Sequence, residues 1–175
     1  MGSIVRRGAP VHPGAVPPTT AAPSDRRAVD FKGQFRTRDG VYCYPLTLAD
    51  QHTRFLLACR GLPSTKGRDA RRVLEWAFRT YGLPRAIRSD NGVPFATTGL
   101  HGLSRLNVWW LRLGIQHQRI LPGQPQQNGT HERMHKTLKA EACRPPEANG
   151  RAQRRRFDAF RAEYNTERPH AALGG

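Results

Sequence analysis

Three acidic residues sit in local sequences that could support chemistry on a phosphodiester. Asp30 lies in Val29-Asp30-Phe31-Lys32-Gly33, Asp90 in Ser89-Asp90-Asn91-Gly92, and Glu132 in Asn128-Gly129-Thr130-His131-Glu132-Arg133-Met134-His135. Phosphoryl transfer with two hard cations needs little more than this. The ions sit about 3.5–4 Å apart and clamp the attacking and leaving oxygens. Mg²⁺ takes carboxylate oxygens and keeps several waters, so two or three acids suffice. Each residue also has a plain explanation by itself. Asp30 could face solvent from a strand. Asp90 fits the turn chemistry of Asp-Asn-Gly, and Glu132 suits the first turn of a helix, where the dipole favours an anion.

Asp30 and Asp90 are separated by 59 residues, and Asp90 and Glu132 by 41. Only tertiary structure can bring the three together, so the elements between them decide the matter. Residues 28–37 and 41–49 read as strands around a turn at Arg38-Asp39-Gly40, and 54–62 as a third strand. Residues 64–82 read as a helix with Val73, Leu74, Ala77 and Tyr81 on one stripe, stopped by Gly82-Leu83-Pro84. A short strand at 86–89 ends at Asp90, where ligands of α/β sheets collect. Residues 100–114 read as a second helix burying Leu103, Leu106, Trp110 and Leu113. A strand at 116–121 and a Gly/Pro/Gln loop at 122–127 follow. The last two helices span 128–143 and 151–166, the latter aligning Phe157, Phe160 and Tyr164. The order βββαβαβαα makes an α/β fold, a mixed five-stranded sheet flanked by helices. On the third helix, 100° per residue puts Glu132, His135, Lys136 and Lys139 on one face, a carboxylate followed by cations.

The bulk properties point to a polyanion. The chain has 175 residues, with 29 Lys and Arg against 13 Asp and Glu, for a net charge of +16. Such an excess favours partners whose condensed counterions can be released. No basic amphipathic anchor and no membrane-span-length apolar run is present, which disfavours a membrane. Cys43, Cys59 and Cys143 form no disulfide framework or paired metal motif, which fits a reducing cytosol. Residues 1–27 hold five of the 14 prolines and no apolar signal region, and are expected to be disordered.

Other features have simpler readings. Asp50 is explained by turn chemistry between two strands. Trp109 and Trp110 are core residues rather than base-stacking platforms. His131, His135 and Cys143 lack a fourth ligand and fit no common zinc spacing. Residues 131–156 carry eight basic and three acidic side chains, which suits phosphate contact.

Four segments, in order, resemble a known family: Asp30-Phe31-Lys32-Gly33; Ile87-Arg88-Ser89-Asp90-Asn91-Gly92; Pro122-Gly123-Gln124-Pro125-Gln126-Gln127-Asn128-Gly129 leading into Glu132; and Tyr164-Asn165-Thr166-Glu167-Arg168-Pro169-His170. They resemble the integrase-type DDE transposases of bacterial insertion sequences, relatives of retroviral integrases, over residues 28–172. The resemblance implies a ribonuclease-H-like fold and DNA transposition by a polynucleotidyl transferase that cleaves element ends and joins the 3′-hydroxyl to target DNA. It also implies two Mg²⁺ or Mn²⁺ ions on Asp30, Asp90 and Glu132. Lys32, Asn91, Gln127, Asn128, His135, Lys136 and Lys139 are the candidate DNA contacts. The expected partners are double-stranded DNA, at element ends and target, and further copies of the chain assembled on it. The expected location is the cytoplasm, on the nucleoid when bound. The alternatives are a ribonuclease-H-like nuclease and an inactive remnant that only binds DNA. A helix-turn-helix region often precedes such cores. Five prolines are expected to keep residues 1–27 from forming one.

Overall fold

The computed structural model describes residues 25–97, 102–120 and 129–167. Strand β1 (Arg26–Phe31) is followed by the two-residue β2 (Phe35–Arg36), β3 (Tyr42–Asp50) and β4 (Leu56–Leu62). Helix α1 (Gly67–Tyr81), β5 (Ala86–Ser89), α2 (Arg105–Arg112), β6 (Gln116–Arg119), α3 (Gly129–Leu138) and α4 (Gly150–Glu167) complete the order. One strand was expected over residues 28–37, but the chain breaks it. Gly33 adopts φ 53°, a left-handed conformation that interrupts pairing between β1 and β2. Both pieces pair with successive stretches of β3, so six strands fill the five expected positions. β4 takes the other edge of β3, antiparallel, and β1, β5 and β6 run parallel to one another. The sheet is therefore mixed, with helices on both faces.

Strand alternation sorts the core into two layers. Val29, Leu46, Leu48 and Ile87 meet α1 and α2 through Val73, Leu74, Ala77, Phe78, Leu106 and Trp110. Cys43, Leu56 and Cys59 meet α3 and α4 through Met134, Leu138, Phe157 and Phe160. Helix α1 buries Ala70, Val73, Leu74, Ala77 and Phe78, the i, i+3, i+4, i+7, i+8 stripe of an amphipathic helix, and stops at Gly82, φ 85°. Helix α2 starts later than its apolar pattern suggested. Ser104 and Asn107 form a reciprocal capping box, which leaves Leu103 outside the helix and exposed rather than buried. Trp109 and Trp110 are core residues, as expected. The third helix loses its regular winding after Leu138, where residues 139–143 form one π-helical turn. Asn165 pins α4 to β4: its side-chain carbonyl accepts from Leu56 N at 2.8 Å, and its amide donates to Leu56 O at 3.0 Å. The three cysteines are buried and unpaired to one another.

Candidate active site

Register settles which way Asp30 faces. It pairs with Thr47 across β1 and β3, and Thr47 pairs with Cys59, a residue of the α3/α4 layer. Asp30 therefore looks toward α3 and not toward the apolar layer under α1. Its Oδ1 accepts from Phe31 N at 2.9 Å, and its Oδ2 lies 3.9 Å from His135 Nδ1, with the side chain 19% exposed.

Asp90 is set by the neighbouring strand. β1 and β5 are parallel, with Ala28 opposite Arg88. Asp90 follows directly after this strand, close enough for its charge to raise the Asp30 carboxyl. The turn reading of Asp90 holds, and the turn leaves its carboxylate exposed beside β1. Its Oδ1 accepts from Gly92 N at 3.0 Å, and a Cβ on Gly92 would stand 3.3 Å from that oxygen. Behind it, Asn107 Nδ2 donates to His117 Nδ1 at 3.1 Å. That leaves the hydrogen on His117 Nε2, 2.7 Å from Ser89 Oγ, and Ser89 donates onward to Asp90 O at 2.9 Å. Burial lowers the His117 pKa to about 4, so this relay works through a neutral ring.

Glu132 is exposed in the first turn of α3. The residues that dock this helix flank it. His131 and His135 are buried, one turn apart, and the Nε2 of each lies 2.7 Å from Thr47 Oγ1. The cross-strand partner of Asp30 thus anchors the helix that carries Glu132. The helical-face expectation needs a correction here. His135 does not share the outward face of Glu132, Lys136 and Lys139, which are exposed; it turns inward with His131, Met134 and Leu138. It lies at the border of the buried stripe, where the wheel alone does not decide, and the Thr47 hydroxyl draws it in.

The electrostatics tie the three acids together. Burial first, then like-charge repulsion from Asp90 and, least, Glu132, raise the Asp30 carboxyl to about 7 against the pull of the Phe31 N–H and Lys32. Both histidines are held neutral by burial, which lowers His131 to about 4 and, with His131 and Lys32 adding, His135 to about 2. A carboxyl kept from ionising by burial and by a neighbouring acid is one that a hard divalent cation would relieve.

Among the other expected residues, Lys32 is half-buried close enough to be felt by Asp30 and His135. Asn91 is exposed, its amide donating to Ile120 O at 3.1 Å. Gln127 and Asn128 lie outside the described residues, as do residues 1–24 and 168–175. Asp50, the buried last residue of β3, caps the turn that follows, its Oδ1 accepting from His52 N at 2.8 Å and Thr53 N at 3.0 Å. Thr47, Ser89, Asn107 and His117 escaped notice as site residues, and His131 was weighed only as a zinc ligand beside Cys143 and set aside. The one available signal was the pair of histidines four apart, bracketing Glu132.

The "Integrase core domain" family profile matches residues 113–175. The chain is 32% identical over 157 residues to the 39.2 kDa protein of insertion element IS476 from Xanthomonas euvesicatoria, covering 89% of this chain and 43% of that protein. It is 29% identical over 154 residues to the 31.7 kDa protein of insertion element IS407 from Burkholderia multivorans, covering 87% and 53%. It therefore spans about half the length of these relatives. Over 98 residues, 56% of this chain, it is 34% identical to 5% of the Gag-Pol polyprotein of baboon endogenous virus. By fold it resembles the simian T-cell lymphotropic virus intasome chain solved with a PP2A regulatory subunit (TM-score 0.67, 17% identity, 83% of this chain and 50% of that one). It also resembles the HTLV-2 integrase catalytic core in complex with magnesium, dimeric form (TM-score 0.64, 14% identity, 86% and 92%).

Proposed function

We infer that this chain is an integrase-type transposase core, and from that premise that Asp30, Asp90 and Glu132 are the carboxylates of a DNA-cleaving and DNA-joining centre. The observation that carries the reading is electrostatic. The Asp30 carboxyl is raised to about 7 by burial, then by Asp90, and also by Glu132. Acids from β1, from just past β5 and from the start of α3 are thus near enough for Asp90, and more weakly Glu132, to act on the Asp30 carboxyl, which supports a shared site. Folds do not gather carboxylates in this way at no cost, and a cation is the usual compensation.

Bound divalent ions would polarise the phosphate and lower the pKa of the attacking water or hydroxyl. The chain's own residues do the rest. Asp30 and Asp90 offer oxygens from adjacent strands, fixed by the Phe31 N–H and by the Gly92 N–H with the His117–Ser89 relay. Glu132 approaches from the side on a helix docked by His131 and His135. A water attacks the phosphodiester at the element end, the 3′-oxygen leaves as a hydroxyl, and that hydroxyl then attacks target DNA in line, with no covalent enzyme intermediate. Exposed Lys136 and Lys139 on α3 continue outward from Glu132 and suit the DNA backbone. The reading includes two Mg²⁺ or Mn²⁺ ions, assembly of several copies on DNA, and work in the cytoplasm on nucleoid DNA. Among the described residues no helix is long and apolar enough to cross a membrane.

The test is a nicking and joining assay on element-end duplexes with and without Mg²⁺. Asp90→Asn should abolish both steps and leave DNA binding unchanged or tighter, since it removes a negative charge facing phosphate. Cleavage by Asp90→Asn at the unsubstituted rate in saturating Mg²⁺ would refute the assignment. Metal-dependent cleavage without joining would point to the nuclease instead.

A further inference from the structure

Thr47 dictates the hydrogen pattern of the two histidines behind the carboxylates. Its Oγ1 lies 2.7 Å from Nε2 of His131, 2.7 Å from Nε2 of His135 and 3.3 Å from the backbone carbonyl of Asp30. A hydroxyl has one hydrogen and two lone pairs. All three bonds form together only if Thr47 donates to Asp30 O and both Nε2 atoms donate to Thr47. Each neutral ring then carries its lone pair on Nδ1. His131 Nδ1 is buried and has no hydrogen-bond partner among the described residues. His135 Nδ1 stands 3.9 Å from Asp30 Oδ2, too far for a hydrogen bond. One donor atom from each of Asp30, His131 and His135 lies within 4.8 Å of the others.

Two imidazole lone pairs and the ionised form of Asp30 gathered there repel one another. The same arrangement is what surrounds a bound metal: the ligating histidine donates its other N–H to a fixed acceptor, which sets tautomer and ring orientation. Here one threonine serves both rings. We propose that Asp30, His131 and His135 form a site for a borderline divalent cation, Zn²⁺ foremost, through Nδ1 of both histidines and Oδ2 of Asp30, with a fourth position open. The nitrogen donors separate it from the all-oxygen group of Asp30, Asp90 and Glu132, because imidazole suits Zn²⁺ whereas Mg²⁺ keeps to oxygen. Tetrahedral Zn²⁺ with bonds of about 2.0–2.2 Å holds its ligands roughly 3.4 Å apart. The 3.9 Å pair must then close by about half an ångström, within reach of a χ adjustment of a partly exposed Asp30. The two sites share Asp30, so a Zn²⁺ ion here takes an oxygen from the outer group. The proposal goes beyond the DNA chemistry and does not depend on it.

The experiment titrates the full chain with Co²⁺, as a visible reporter for Zn²⁺, and then displaces it with Zn²⁺. A single Co²⁺ should bind with the intense absorption of a four- or five-coordinate site. His131→Gln and His135→Gln should each weaken binding by about tenfold or more, while Asp90→Asn and Glu132→Gln leave it essentially unchanged. Weak six-coordinate absorption, undiminished binding in the folded histidine variants, or loss of binding in Asp90→Asn would overturn the proposal. If a histidine variant fails to fold by circular dichroism, the spectrum of the unsubstituted chain and the Asp90→Asn arm still decide. Neither arm uses DNA cleavage, so failure here and failure of the transposase reading are separable.

Discussion

Replacing Asp30 with Asn should make the metal-free protein more stable, and increasingly so as pH rises. Asn has nearly the same shape and keeps an oxygen for the Phe31 N–H, so the change removes mainly the charge. Asp30 has a folded-state pKa of about 7 against an ordinary value of 3.8. A raised pKa means the folded state holds the proton more tightly than the unfolded chain does. Its contribution is therefore intact below pH 3.8 and is lost as pH climbs through about 7. That difference corresponds to about 4 kcal/mol at most. Water reaching the partly exposed carboxyl and local relaxation should reduce this to roughly 2 kcal/mol. For a domain of this size that is about 4–8 °C in Tm. The buried histidines affect both proteins alike to first order, each losing stability as pH falls below 6.5 because the folded rings resist protonation. The difference between the two melts thus isolates Asp30. The assay is thermal unfolding of both proteins in chelator at several pH values between 4 and 8. Saturating Mg²⁺ should then shrink the gap by stabilising only the protein with Asp30. A stability gain from Asp30→Asn that is absent, or flat across that pH range, would refute the claim that Asp30 is buried among like charges.

Three further outcomes follow from the contacts. Ser89→Ala cuts the relay from His117 to the Asp90 carbonyl, and should lower Mg²⁺-dependent cleavage by about tenfold, with DNA affinity unchanged in a binding titration. Asn165→Ala leaves the Leu56 N–H and C=O without their bridge, and should cost about 1–3 kcal/mol in denaturant unfolding; a smaller loss would mean α4 is held by its apolar face alone. DNA binding should weaken together for element-end and scrambled duplexes as salt rises, because backbone contact supplies a sequence-independent affinity. A preference for the end sequence that persists at high salt in a competition titration would show that the core reads bases.

Much of this protein is legible in the sequence because the signals are local. The 3.6-residue stripe of α1 and its Gly82 stop, the short strand ending at Asp90, and the aligned Phe157, Phe160 and Tyr164 of α4 each follow from spacing and turn chemistry. The three acids were marked by their motifs, and the paired tryptophans by periodicity. Capping chemistry overrode periodicity where the two disagreed: Ser104 and Asn107 begin α2 after Leu103, although Leu103 fits the apolar pattern.

What only the tertiary structure decided is the company each side chain keeps. Nothing in the strand sequence Tyr42–Asp50 says that its Thr47 will face a helix more than eighty residues away. That depends on register, and a slip by one residue would turn Thr47 and Asp30 to the opposite face. The helical wheel left His135 at the edge of the buried stripe, and the Thr47 hydroxyl brought it inward, away from the expected DNA face. The raised pKa of Asp30 is likewise invisible to composition, since it arises from burial and from carboxylates supplied by other elements. The sequence determined which residues could do the chemistry. The packing of α3 onto β1 and β3 decided which of them meet, because burial, hydrogen-bond geometry and charge repulsion act over a few ångströms of space and take no account of distance along the chain.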